Sequence, residues 1–233
     1  MRLNTAIFAS LALLAGANFS RAYDIYSNTN AAGDQNFNFS AGGLMIGDEI
    51  VPAGSGYLNH IDFQYYLTNS SGNEAVRLVL FQNDGAALSL VNRTAYEPNT
   101  VLFDSGFFNI GGMGDTARST LNYDAGVGPG FDFAPNSIFI SGSVNLTLAI
   151  EFSGITGIED AGVTLYDFPT VGSGFNSYWE YNGSTWTLST NATPNGYVDF
   201  GMRIDAVPEP TAFSVLVIGG LTLLGVRRFS LRK

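Results

Sequence analysis

Between residues 23 and 206 apolar and polar side chains alternate in short runs. Ile61, Phe63, Tyr65 and Leu67 are separated by Asp62, Gln64 and Tyr66, the period-two pattern of a strand with one buried face. Val76, Leu78 and Leu80 continue it in AVRLVLFQ, and Asn83-Asp84-Gly85 supplies a turn behind them. Val101-Leu102-Phe103, Phe107-Phe108, residues 163–168 and residues 197–204 are further short strand candidates. Residues 137–152 form a run dense in Ile, Val, Leu and Phe, with a break or bulge expected at Gly142. No stretch in this region keeps a helical period. Many short strands divided by Gly, Asn and Pro predict an all-β chain, a single antiparallel β-sandwich of the jelly-roll kind. Residues 28–43, rich in Asn, Ala, Gly and Phe, read as a loose edge or loop.

One hairpin is specified more closely. In SYWEYNGSTWTLST, Asn182-Gly183 is the dipeptide that suits a two-residue type I′ turn. Such a turn pairs Tyr181 with Ser184 and sets Trp179 opposite Trp186, with Tyr178 against Thr187 on the other face. Both tryptophans of the chain then sit side by side. Either the pair packs into the core, where large aromatics bury most area, and Tyr178 and Glu180 face outward; or the pair forms an exposed platform for the C–H faces of sugar rings, with Tyr178 near it.

The two ends follow different patterns. Residues 1–22 join Arg2, an apolar run over residues 6–17 too short to span a bilayer, and the small residues Ser20 and Ala22, the order of parts in a secretory signal peptide. A cut after Ala22 leaves a body over 23–206; Ala15-Gly16-Ala17 is the other candidate site. At the far end, residues 207–233 open with Val207-Pro208-Glu209-Pro210, run through an apolar stretch over 212–226, and finish with Arg227, Arg228, Arg232 and Lys233. A helix over 212–226 is roughly 22 Å long, a short membrane span against the ~20 residues usually needed. Basic residues after it belong on the cytoplasmic side, which leaves the body outside.

Taking the ends away changes the charge picture. Residues 23–206 hold four bases, Arg77, Arg93, Arg118 and Arg203, against nineteen acids, a formal charge of −15. Such a body offers no basic face for nucleic acid or anionic lipid. There is no cysteine, so an exported domain has no disulfide to form and folds on its core alone.

The arrangement Val207-Pro208-Glu209-Pro210, short apolar helix, Arg227-Arg228 resembles the PEP-CTERM sorting tail of Gram-negative bacteria, although Phe229-Ser230-Leu231 interrupts the basic end. The resemblance implies export, transient anchoring in the inner membrane through the C-terminal helix, and processing by an exosortase. It also implies delivery to the cell surface or to an exopolysaccharide or biofilm matrix. Ile46-Gly47-Asp48-Glu49-Ile50, FPTVGS before the Trp hairpin and Phe200-Gly201-Met202-Arg203-Ile204 are similar to β-sandwich domains fused to such tails, which carry no assigned activity.

Catalytic signatures are sparse. His60 is the single histidine, and no G-x-S-x-G elbow accompanies it. Zinc sites need several His or Cys ligands, and no phosphate-binding loop or dinucleotide fingerprint occurs. Two carboxylates would suffice for a glycosidase, so a secreted glycan-active hydrolase stays open as an alternative. So does a Ca²⁺-stabilised coat protein, with Asp48-Glu49, Asp84 and Glu159-Asp160 as candidate ligands, none at EF-hand spacing. The expectation is a non-enzymatic surface or matrix protein without a required cofactor.

Overall fold

The computed structural model describes residues 21–29, 35–38, 44–110, 116–124, 134–166, 168–190 and 199–209, with backbone alone at 35–38, 116–124 and Thr190. The expected signal segment up to residue 20 and the tail from Pro210, including Arg227 and Arg228, lie outside the described residues. Along the chain the strands are β1 (Tyr23–Asn28), β2 (Gln35–Asn38), β3 (Met45–Val51), β4 (Gly56–Thr68), β5 (Ala75–Gln82) and β6 (Ala87–Ser89). They continue with β7 (Thr94–Tyr96), β8 (Thr100–Asp104), β9 (Phe108–Asn109), β10 (Thr116–Asp124), β11 (Phe139–Ile140) and β12 (Leu146–Ser153). The last are β13 (Asp160–Tyr166), β14 (Ser173–Tyr181), β15 (Trp186–Thr190), β16 (Asp199–Phe200) and β17 (Met202–Val207).

All pairings among them are antiparallel. One sheet runs β1-β17-β4-β13-β16, with β10 and β11 also on β4 and β2 on β13; the other runs β15-β14-β3-β12-β5-β8, with β9 on β5. A small β6–β7 hairpin stands apart from both. The chain is therefore all-β with antiparallel sheets and no helix among the described residues, consistent with a β-sandwich.

The alternating positions account for the interior. Ile61, Phe63, Tyr65 and Leu67 from β4 are fully buried in one cluster with Leu78 and Leu80 from β5 and Leu148 and Ile150 from β12. Each such side chain contributes about 1.5–3 kcal/mol by leaving water, so a single apolar layer shared by both sheets holds them together. Gly142 falls between β11 and β12, where the long apolar run breaks as expected. Of the loose edge or loop expected over residues 28–43, Gln35–Asn38 forms an edge strand, pairing with 162–165 of β13. Its sequence QNFN has too little apolar alternation to announce a strand; the open edge of β13 supplies the backbone partners instead.

Candidate functional site

The hairpin of β14 and β15 forms, but in another register. Tyr181 pairs with Trp186, Trp179 with Leu188, Tyr178 with Ser189 and Glu180 with Thr187. The two tryptophans are therefore not opposite one another. The cause is the Asn182 side chain: its Oδ1 accepts from the backbone N of Ser184 and of Thr185, each at 3.0 Å. Asn182 N also bonds Thr185 O at 3.3 Å, and Gly183 adopts φ +91°. An Asx-type closure thus makes a loop of 182–185 where two residues were expected.

Facing follows from this register. Tyr178 points into the shared interior, 8% exposed, so it does not face outward as the core-packed alternative required. Its hydroxyl donates to Glu180 Oε1 at 2.7 Å, and burial, then Glu180, pushes its pKa up to about 12. By alternation Phe175, Ser177, Trp179 and Tyr181 occupy the outer face of the second sheet. Trp179 is nonetheless only 1% exposed; its cross-strand neighbour is Gly47.

The β6–β7 hairpin reaches this outer face through Arg93. Its guanidinium makes a two-pronged bond to Glu49, 2.9 Å to Oε1 and 2.8 Å to Oε2, donates to Ser177 Oγ at 3.0 Å, and lies 3.6 Å from the centre of the Phe175 ring. Glu49 is fully buried and also accepts from Asn145 Nδ2 at 2.8 Å. A carboxylate with no water is tolerable only when paired in this way. Arg93 thereby fixes the hairpin against the sheet.

Beside this anchor the same face opens into a groove of about 490 Å³, lined by Met45, Arg77, Phe81, Glu97, Pro98, Asn99, Tyr181 and Trp186. Trp186 meets Phe81 edge-on at 5.4 Å between ring centres and lies tilted against Tyr181 at 4.9 Å. All three rings are half-buried, so each rests on the apolar patch of Met45, Val79 and Ala149 and still shows a face to solvent. Arg77 is held by Asp104, at 2.9 and 2.6 Å, and by Glu151 at 3.4 Å. Those acids, Asp104 first, raise its pKa, so a fixed positive charge sits at the groove. Glu97 and Asn99 add an acid and an amide. This wall of stacked rings with a few polar groups is able to seat a small amphipathic ring.

The other candidate residues fall elsewhere. Asp48 and Glu49 point to opposite faces of β3, Asp48 inward and Glu49 toward Arg93. Asp84 accepts from Thr100 Oγ1 and N and from Asn99 Nδ2, which lowers its pKa, Thr100 foremost. Glu159 closes its own turn by accepting from Thr156 N at 2.6 Å. His60 lies within β4. Its Nε2 is 2.6 Å from Asp62 Oδ1, and Asp62 Oδ2 is 2.8 Å from the Arg203 guanidinium. Arg203 Nε lies 3.7 Å from Asp205. Burial, then Asp24, raises Asp205 to about 6 against the opposing pull of Arg203 and His60. This is a cross-strand ladder of charges on the first sheet. Of the sorting motif, Val207 is the last residue of β17 and pairs with Tyr57. Among the described residues no helix is long and apolar enough to cross a membrane, and no three His, Cys, Asp or Glu converge as metal ligands.

Sequence reasoning missed Phe81, Glu97, Pro98 and Asn99, which reach the groove from far along the chain. The aromatic pattern did single out Trp186. No family model matches the chain. No curated protein is similar to it. Among solved structures, the infectious bursal disease virus VP2 subviral particle is similar at 12% identity and a TM-score of 0.22, over 81% of this chain and 38% of that one. The chain thus spans well under half the length of that structure's chain, and a likeness this weak carries no argument.

Proposed function

We propose that this chain is a non-enzymatic protein of the cell surface or extracellular matrix that contacts exopolysaccharide through the Tyr181–Trp186 groove. In this reading residues 1–22 export it, residues 212–226 hold it briefly in the inner membrane, and an exosortase processes it at Val207-Pro208-Glu209-Pro210. The sandwich is then of the jelly-roll kind. The carrying observation is the half-buried ring wall of Phe81, Tyr181 and Trp186 beside Arg77, Glu97 and Asn99. Contact with sugar passes to Trp186 and Tyr181, because Trp179 and Tyr178 are buried. Among the described residues the lining brings one carboxylate, Glu97, rather than the two that glycoside hydrolysis uses, which favours binding over cleavage. A body at −15 repels polyanions, so neutral polysaccharide is the fitting class.

The test is titration of the full-length chain in detergent with neutral extracellular polysaccharide from the host, read by tryptophan emission. Trp186→Ala should bind at least about fivefold more weakly, since one lost ring stack is worth roughly 1 kcal/mol or more, with melting retained. Equal binding by wild type and Trp186→Ala would refute the groove as the contact.

A further inference from the structure

The start of the first strand and the finish of the last lie side by side. Tyr23 of β1 pairs with Ala206 of β17, and Val207, which ends β17, pairs with Tyr57 of β4. Tyr57 pairs in turn with Phe139 of β11. The two rings meet edge-on, 5.5 Å between centres. Leu58 and Ile140, the next residues of the same strands, are buried in the shared interior, so by alternation Tyr57 and Phe139 face outward. Phe139 is 42% exposed and Tyr57 half-buried. Half-buried Tyr23 belongs to the same end of the sheet. Its hydroxyl donates to Ser55 O at 2.8 Å, and Ser55 Oγ accepts from Gly142 N at 2.8 Å, just behind β11.

A lone exposed phenylalanine needs no explanation; a ring pair in the row that ends at the tail does. The surroundings differ from the rest of the body in charge as well. Residues 50–59 and 134–150 hold no Asp, Glu, Lys, Arg or His. On β1 and β17 the acids begin one residue further in, where Asp24 pairs with Asp205. Reach is short: from Val207 to residue 212, where the apolar run begins, the extended chain covers at most about 18 Å. A bilayer that holds residues 212–226 is therefore brought close to this end of the sheet.

We propose that Tyr57 and Phe139, with Tyr23 beside them, are a foot on which the body rests against the outer surface of the membrane that holds its tail. This rests on the proposed anchoring through residues 212–226. Aromatic rings favour the boundary between headgroups and acyl chains, and a charge-free rim lets them approach it without stranding an ion. The partner is a zwitterionic lipid surface, because no base stands there to draw anionic headgroups and the acidic body repels them. The tail holds the body nearby, so the contact forms at high effective concentration and a small foot suffices. Cutting the tail removes that advantage, and the same foot then lets go.

The experiment uses the full-length chain in phosphatidylcholine vesicles. The sequence has no cysteine, so Ala53→Cys and Ile158→Cys each accept one fluorescent label. Both positions are exposed. Ala53 precedes β4, whereas the Ile158 carbonyl accepts from Asn69 Nδ2 just beyond the other end of that thirteen-residue strand, about 40 Å away. Nitroxide-bearing lipid should quench the label at 53 at least about twofold more than the label at 158. Tyr57→Ser with Phe139→Ser should bring the label at 53 down to the level at 158, with flotation on the vesicles and melting retained. Phe139→Ser alone should act in the same direction if the double variant fails to fold. Equal quenching at 53 and 158 in chains that float overturns the inference and leaves the anchoring intact. Quenching at 53 unchanged by the loss of the rings also overturns it. Self-quenching at 53 in detergent without lipid assigns the rings to a second copy of the chain, and overturns it too. Chains that do not float overturn the anchoring, and the foot with it.

Discussion

Arg93→Met tests the anchor that holds the β6–β7 hairpin to the second sheet. In the native fold the Glu49 carboxylate is fully buried and receives two bonds from Arg93 and one from Asn145. Methionine keeps much of the aliphatic stem of arginine and removes the guanidinium. Glu49 is then left in the protein interior as a charge with one amide donor. Breaking one side of a buried pair costs about 3–5 kcal/mol, and the lost stack on Phe175 adds roughly 0.5–1 kcal/mol. For a domain of this size each kcal/mol is worth about 2–4 °C in Tm, so a fall on the order of 10 °C is expected. Thermal unfolding followed by circular dichroism measures it. The double variant Glu49→Gln with Arg93→Met removes the stranded charge and should recover more than half of the loss. Hydrogen exchange over residues 86–97 should speed up in the single variant, as the hairpin loses its hold. A fall under 1 °C, or a double variant no better than the single one, would refute the claim that the pair carries this contact.

Two carboxyl groups should shape acid stability in opposite directions. Asp205 is raised to about 6, so its stabilising contribution is present below about pH 4 and is lost as pH rises through 6. With its side chain 16% exposed, the loss should be roughly 1–2 kcal/mol. In Asp205→Asn the drop in Tm between pH 4 and pH 7 should disappear, and an unchanged slope would count against the assignment. Burial alone would raise Glu74, but bonds from its own backbone, Ser70 and Ser71 outweigh it and hold the carboxyl at about 2. Its contribution is therefore present above pH 4.5 and lost as pH falls through 2; Glu74→Gln should erase that acid limb in the same melting series. Mass spectrometry of protein from the native host should find no peptide extending beyond Pro210, and mature chains ending in Lys233 would disprove processing.

The interior was legible because burial imposes a two-residue period on each strand separately. Ile61, Phe63, Tyr65 and Leu67 needed no knowledge of their partners to be placed in the core. Register was not legible in the same way. The Asn182-Gly183 dipeptide announces a hairpin correctly, yet the Asn182 side chain closes a longer loop and slides Trp179 from Trp186 to Leu188. Trp179 illustrates a second limit. By alternation it falls on the outer face of a sheet and is still buried, and alternation alone does not report what lies over a face. The bond from Phe200 N to the buried Asp48 carboxylate joins residues far apart in the chain, and local spacing carries no trace of it. Aromatic content flagged Trp186, whereas Glu97 and Asn99, in the turn between β7 and β8, gained meaning only once the fold had set that turn beside Tyr181 and Trp186.

The last strand has a mechanical consequence. β17 lies between β1 and β4, laddered on both sides, and Tyr23 pairs with Ala206 at the point where the chain enters and leaves the sheet. A pull on residues after Val207 runs along β17, so it loads the rungs of two ladders together instead of opening them one after another. Such a pull acts on the sheet in shear, the stronger direction. Under the proposed anchoring, drag on the body would strain the tether before it unravelled the domain.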